Sequence, residues 1–219
     1  MPRYTLIWLR QNSWENADDF PNYLKRRKIL NEIYYKVAEY VQDREGIALQ
    51  LDIDKILILA NSLDKESHLN LLKELESTGL SNINMISIVH ENPIYTLIKA
   101  SSLLPTRFYF QDGKIGLDEY YVAIICLKDH GKIDLMAYTI YLRDIAEIAF
   151  ALSNLGNIAL VHDHKVIALL SKNSLKYLSA MDNLHIGIGI DLYGFRALDK
   201  AYNALKIAIQ EKRSPVIFE

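Results

Sequence analysis

The sequence predicts an α+β fold in which one β-α-β-β-α-β unit occurs twice in tandem. Three observations predict it. First, apolar runs of period two alternate with runs of helical period, and the order recurs along the 219 residues. Second, an apolar strand leading through Asn92-Pro93 into a helical run over 94–104 reappears near the C-terminus. At an offset of 101 residues, Asn82 falls on Asn183, Leu97 on Leu198, Lys99 on Lys200 and Ala100 on Ala201. Third, two apolar hairpins share their spelling. Ile47-Ala48-Leu49 aligns with Ile158-Ala159-Leu160 and Lys55 with Lys165, at offsets of 111 and 110, so the second copy has lost residues in its middle helix and loops. Duplication accounts for both the shared order and the shared spelling.

Taken in order, 3–9 (Arg-Tyr-Thr-Leu-Ile-Trp-Leu) is aromatic and branched and reads as a strand. A polar loop with Trp14 follows, and Pro21 suits the first turn of a helix over 23–41, with Ile29, Leu30, Ile33, Tyr34 and Val37 at helical spacing. Strands at 47–51 and 56–60 flank a short polar reversal at 52–55. Asp64 is placed to cap a helix through Glu76, with Gly79 as its C-cap. A strand at 83–89 and a proline-led helix at 94–104 complete the first copy, 1–105. Residues 106–118 are expected as a connecting hairpin, with arms at 107–110 and 115–117. The second copy, 119–219, repeats the order: strand 120–127, helix 135–155, hairpin strands 158–161 and 166–170, short helix 174–181, strand 185–190 and helix 195–210, with an edge strand at 216–218. This is the ferredoxin-like order. It predicts two four-stranded antiparallel sheets, each with helices on one face.

Composition limits the function. Net charge is −2, so no overall charge favours nucleic acid or an anionic membrane as a partner. Half the residues are hydrophobic, enough for a sizeable core. The single cysteine, Cys126, lies in an apolar run; it cannot form an intramolecular disulfide and is expected to be a small buried hydrophobe. Arg10 interrupts the N-terminal apolar run, no small-residue cleavage site follows, and no apolar stretch reaches about 18 residues, so a cytoplasmic protein without a membrane span is expected.

Two places hold candidate chemistry. Gly187 and Gly189 fall on one face of a strand, and glycine pairs there mark close approach. Either a helix packs tightly across them, or they leave room for a nucleotide or a partner. They are not a dinucleotide fingerprint, because no third glycine follows at the required spacing. At the tip of the second hairpin stand His162, Asp163, His164 and Lys165. Alternation sends His162 and His164 to one face, where they form either half of a metal site completed by Asp129 or His130, or a solvated turn. Asp52 and Asp54 mark the equivalent turn of the first copy. His68 and His185 are expected to be structural or solvent-exposed. Lys25, Arg26, Arg27 and Lys28 form one short basic run, read as a solvated helix face or an anion contact.

Four stretches together resemble the archaeal GTP cyclohydrolase III family, also called GTP cyclohydrolase IIa. They are 9–14 (Leu-Arg-Gln-Asn-Ser-Trp), 49–55 (Leu-Gln-Leu-Asp-Ile-Asp-Lys), the proline-led helix 93–101, and Gly187-Ile188-Gly189-Ile190. The resemblance runs nearly end to end. It implies two ferredoxin-like repeats akin to the palm of nucleotide cyclases, GTP as substrate, opening of the guanine imidazole ring, and divalent metal held by carboxylates of the second repeat. The chain departs from the family at those carboxylates. The first-strand ligand position falls on Lys128, with Asp129 adjacent, and a Gly-Gly-Asp-Asn turn is replaced by 162–165. In the first repeat only Asp54 of the matching turn is retained. A triphosphate on hard cations needs carboxylate oxygens and close backbone approach, and Lys128, His162 and Lys165 supply neither.

The resemblance therefore implies a relative without the two-metal site, which binds GTP, another purine nucleotide or a protein. Lys128, Lys165, Gly187, Gly189 and Asp54 are the expected nucleotide contacts, with the ligand against the second-repeat sheet. The alternatives are an active hydrolase whose altered site uses Asp129, His162, Asp163 and His164, with magnesium only in that case, and a structural interaction protein. The aromatic residues Tyr34, Tyr35, Tyr138 and Tyr141 exceed what one face of each helix needs, which predicts a homodimer or higher homo-oligomer.

Overall fold

The computed structural model describes residues 1–10, 20–78, 82–104, 106–112, 118–128, 135–162, 164–181 and 183–219. The chain divides into two compact units. The first holds Met1–His90 with Thr96–Gly116, and the second Glu91–Tyr95 with Leu117–Glu219. The secondary structure is mixed α+β, with two five-stranded sheets.

In the first unit β1 (Arg3–Arg10), α1 (Phe20–Gln42), β2 (Ile47–Asp52), β3 (Lys55–Leu59), α2 (Lys65–Ser77), β4 (Asn82–Val89), α3 (Pro93–Ser102) and β5 (Phe108–Phe110) follow one another. The sheet order is β2-β3-β1-β4-β5. β1 lies antiparallel to both β3 and β4, with Ile7 opposite Ile56 and Met85. Asp64 caps α2, its carboxylate accepting the Ser67 N–H at 2.7 Å. The expected C-cap Gly79 lies outside the described residues, and α2 ends at Thr78. Asn92 caps α3 by accepting the Tyr95 N–H.

The second unit contains β6 (Tyr120–Leu127), α4 (Leu135–Asn154), β7 (Ile158–His162), β8 (Lys165–Leu170), α5 (Leu175–Leu178), β9 (Leu184–Asp191), α6 (Gly194–Gln210) and β10 (Val216–Phe218). Its sheet order is β10-β9-β6-β8-β7. Counted within each unit, both sheets read second-third-first-fourth-fifth strand.

Two expectations need correction. Each sheet has a fifth strand. Residues 108–110, expected as an arm of a connecting hairpin, lie parallel beside β4, and β10 lies parallel beside β9. The other arm, 115–117, falls outside the described residues. Helices also cover both faces rather than one, because the fourth strands are apolar on both sides. On β4, Ile83 and Met85 pack with Leu30 and Ile33 of α1 and Leu71 and Leu75 of α2. Ile86 and Ile88 pack with Leu97 and Ala100 of α3. On β9, Ile186, Ile188 and Ile190 join Tyr141, Ile145 and Leu152 of α4, while the opposite side meets α6. Tyr141, expected as exposed interface surface, is thus a core residue, whereas Tyr35 is 69% exposed.

The contact of β9 with α6 requires glycine. A Cβ on Gly187 would stand 2.1 Å from the Leu205 nitrogen and 2.3 Å from the Ala201 oxygen. One on Gly189 would stand 2.0 Å from the Ala197 oxygen and 2.4 Å from the Ala201 nitrogen. The obstructing atoms are helix backbone, which side-chain rotation cannot relieve. The facing positions of α6 are correspondingly small: Ala197, Ala201, Ala204 and Ala208 are all fully buried.

The first unit buries a polar cluster. His68 on α2 is fully enclosed, the structural one of the two alternatives expected for it. Its Nδ1 lies 2.7 Å from the Asp64 carbonyl and its Nε2 2.7 Å from the Thr5 hydroxyl. A carbonyl only accepts, so Nδ1 donates, and the neutral ring receives the Thr5 proton at Nε2. Phe110 meets the His68 ring edge-on at 5.1 Å and receives the buried Arg3 guanidinium over its face at 4.0 Å. Arg3 also donates to the Ser87 hydroxyl on β4 and to the Gln111 carbonyl beyond β5, which ties the short edge strand to the sheet.

Two predictions follow from this packing. Gly189→Ala should destabilise the second unit by about 3 kcal/mol or more, because α6 must move to admit the methyl group; chemical denaturation of both proteins measures it. Burial, aided by the Arg3 charge, lowers the His68 pKa from 6.5 to about 4. Between those values the unfolded chain binds more protons than the folded one, so stability falls as pH drops through this window. The loss totals about 3 kcal/mol. The stability difference between the parent protein and His68→Gln should shrink as pH falls from 6.5 to about 4; a difference independent of pH would contradict the neutral-ring assignment.

Candidate ligand groove

The two hairpin turns occupy matching positions and differ in chemistry. In the first unit the turn between β2 and β3 is neutralised internally. Asp54 accepts from Trp8 Nε1 at 3.1 Å and from Lys55 Nζ at 3.1 Å, with Arg26 Nη2 at 3.9 Å. Asp52 accepts the Ile53 N–H at 2.7 Å and Lys55 Nζ at 3.1 Å. The Ile53 N–H first, and then Lys55, hold the Asp52 carboxyl below its ordinary range. Burial works against the Lys55 charge, but the two aspartates outweigh it and raise its pKa. Asp54, expected as a nucleotide contact, therefore anchors Trp8 and Lys55 instead.

In the second unit the turn splits its two histidines. His164 takes a left-handed backbone, φ 65°. Its carbonyl accepts the Tyr141 hydroxyl and its ring meets the Tyr141 ring edge-on at 5.8 Å, so it is held by α4. His162 is still in the strand, pairs with Lys165, and looks toward the α6 side. The expectation that the two imidazoles share a face fails because alternation stops where the chain turns left-handed. Asp129 and Asp163 lie outside the described residues. Among the described residues no group of three histidine, cysteine or acidic side chains can hold a metal.

A groove of about 440 Å³ opens beside this turn. It exists because α6 lies over β9 and β6 and, among the described residues, the same face of β8 and β7 is left uncovered. Ile124 and Ile167, paired across β6 and β8, form its floor. His162 and Lys165 close one end, and Phe195, Leu198, Asp199 and Tyr202 of α6 form the facing wall. These four stand at i, i+3, i+4 and i+7, one flank of the helix. Phe195 and Tyr202 are 41% and 45% exposed, open to a flat ring. Lys206 stands 4.6 Å over the Tyr202 ring, and Asp199 accepts from Asn203 Nδ2 at 3.2 Å. Lys165 makes no ion pair among the described residues. Cys126 is buried on the same side of the sheet; burial pushes its thiol up, and the nearby Lys165 charge opposes that shift.

Of the expected nucleotide contacts, Lys165 lines the groove. Lys128 is exposed at the end of β6, its N–H bonded to the Asn183 carbonyl at 3.2 Å. Gly187 and Gly189 do not leave room for a ligand, since α6 fills the space above them. The aromatic wall was missed in the sequence. Its signal is the surplus of apolar residues on α6: the alanine stripe already satisfies the sheet, so Phe195, Leu198 and Tyr202 form a second stripe.

No protein-family model matches the chain, and no curated protein matches it. Among the described residues no helix is long and apolar enough to cross a membrane.

Removing the Asp54 carboxylate should cost about 2 kcal/mol, since Trp8 Nε1 and Lys55 are left without it in a half-buried setting. Asp54→Ala measured by denaturant unfolding checks this; an unchanged midpoint would show that the cluster contributes nothing.

Proposed function

We propose that this protein is a nucleotide-binding relative of the GTP cyclohydrolase III family that lacks the two-metal reaction. In this reading the two units are ferredoxin-like repeats of the palm type. The strand order fourth-first-third-second, present in both sheets, supports that assignment. The ligand is GTP or another purine nucleotide, lying in the groove of the second unit.

One observation carries the reading: an apolar slot with an aromatic wall ends at a lysine that makes no ion pair among the described residues. A purine ring suits the slot between Ile124, Ile167 and the Phe195–Tyr202 flank. Phosphate suits the ammonium of Lys165, which acts as a point charge where the family uses metal-bridged contacts. The cavity size is in the range that small-molecule sites occupy. Binding rather than catalysis is the reading proposed because, among the described residues of the lining, Asp199 is the one carboxylate.

Thermal shift and calorimetry with GTP, with and without magnesium, test the proposal, with chromatography of the incubated nucleotide. Binding should persist without divalent ion, weaken as salt screens Lys165, and leave GTP intact. Lys165→Glu should lower affinity at least about tenfold through loss and reversal of one charge contact, while Asp52→Ala should not change it. A formamidopyrimidine product, or affinity strictly dependent on magnesium, would overturn the reading.

A further inference from the structure

We propose that β7 is a self-pairing edge through which two copies of the chain join their second-unit sheets into one antiparallel sheet across a two-fold axis. The two units hold an internal comparison. β2 and β7 occupy the same outer position in their sheets. β2 is guarded in the ways exposed edges usually are. Its register breaks between Gln50 and Asp52, charged residues end it, and the Tyr34 hydroxyl donates to the Ala48 carbonyl at 3.1 Å. Among the described residues β7 has none of these guards. It reads Ile-Ala-Leu-Val-His, pairs with β8 at every residue without a bulge, and carries no lysine, acid or proline. Val161 on it is 49% exposed.

The hydrogen-bonding parity of the sheet selects the residues that face outward. The bond from the Lys128 N–H to the Asn183 carbonyl fixes which residues of β6 bond to β9. Alternation then makes Tyr121, Ala123 and Ile125 bond to β8, and their registers make Ile158, Leu160 and His162 bond inward. Ala159 and Val161 are left with N–H and C=O directed away from the sheet.

That parity suits a second copy. A two-fold axis through Leu160 sets each Ala159 opposite Val161 of the partner subunit, so the two exchange both hydrogen bonds. The same axis sets each His162 opposite Ile158 of the partner subunit, which keeps the imidazoles apart. With no other ionisable side chain on the strand, two copies meet without like charges in contact. The neighbouring helix is compatible. Asn157 bonds to the Leu152 carbonyl and Tyr141 to the His164 carbonyl, so α4 runs back along β7 with Ala146 near its middle. One flank of α4, with Asp144, Ile148 and Ala151, borders an open cleft beside Leu127 and Leu184. The other, Leu142, Ala146 and Ala149, faces the β7 side and is small and apolar, and Leu142 is 38% exposed. Self-pairing at β7 does not require a ligand in the groove.

Light scattering and sedimentation of the full chain test this. The parent protein should have twice the chain mass of 25.2 kDa. Val161→Pro removes an outward N–H and leaves the β8 ladder intact, and should halve the measured mass. Val161→Lys, which alters only an exposed side chain, should do the same and decides the matter if the proline variant does not fold. Gln50→Lys on β2 should leave the dimer unchanged. A parent protein at 25.2 kDa at every concentration, or a dimer that survives both Val161 substitutions, would overturn the proposal.

Discussion

The close approach of α6 to β9 is the constraint on which the second unit depends. Side chains normally hold a helix away from a sheet. Here two glycines on the strand and an alanine stripe on the helix remove that spacer, and backbone rests on backbone. A helix seated this deeply is fixed in height and sideways position, since the atoms that would clash on any shift are main chain. It covers β9 and β6 and stops there. The uncovered face of β8 and β7 is the direct consequence, and so is the groove. A larger residue at Gly187 or Gly189 would lift α6 and take the Phe195–Tyr202 wall away from Ile124 and Ile167.

The two sheets share one strand order and differ in how each fills its core and closes its hairpin. Each fourth strand is covered on both faces and cannot tolerate a polar residue at its centre without a partner. The first unit meets that condition with Thr5, Ser87 and Arg3, all buried and hydrogen-bonded near β5, and with His68 kept neutral among them. The second unit instead uses glycine and alanine, and its fourth-strand centre is free of charge. The hairpin turns diverge too. Carboxylates, a lysine and an arginine satisfy one another in the first turn. The second offers Lys165 without a described counter-charge and two histidines on opposite faces.

Much of the framework was legible in the sequence because periodicity and capping are local. Asp64, Asn92-Pro93 and the apolar alternation of β1 and β8 place elements without knowledge of the fold. Both fifth strands were legible as extended runs, Phe108–Phe110 as a hairpin arm and Val216–Phe218 as an edge strand, but at three residues each they carry no period that shows their parallel pairing with β4 and β9. The second helical layer was visible in principle, since β4 is apolar at consecutive positions, a mark of burial on both faces. Of the site, Lys165 was found from its place in the turn. The aromatic wall was not, because the residues that make it are remote in sequence from the turn. His164 misled because alternation applies only while the chain stays extended, and its left-handed φ cannot be read from a histidine codeword.

The described lining of the groove sets its charges out in a particular way. Metal-assisted phosphoryl or ring chemistry concentrates anionic oxygens around a cation, so that the ion and not the protein meets the phosphate. In this groove the order is reversed. A protein ammonium faces the open end, an aromatic flank faces the apolar floor, and Asp199, the one carboxylate among the described lining residues, stands on the opposite wall within reach of Asn203. On the proposed reading such a lining suits a ground-state anion with a flat ring, held by fixed contacts rather than by groups that follow charge as it moves in a transition state.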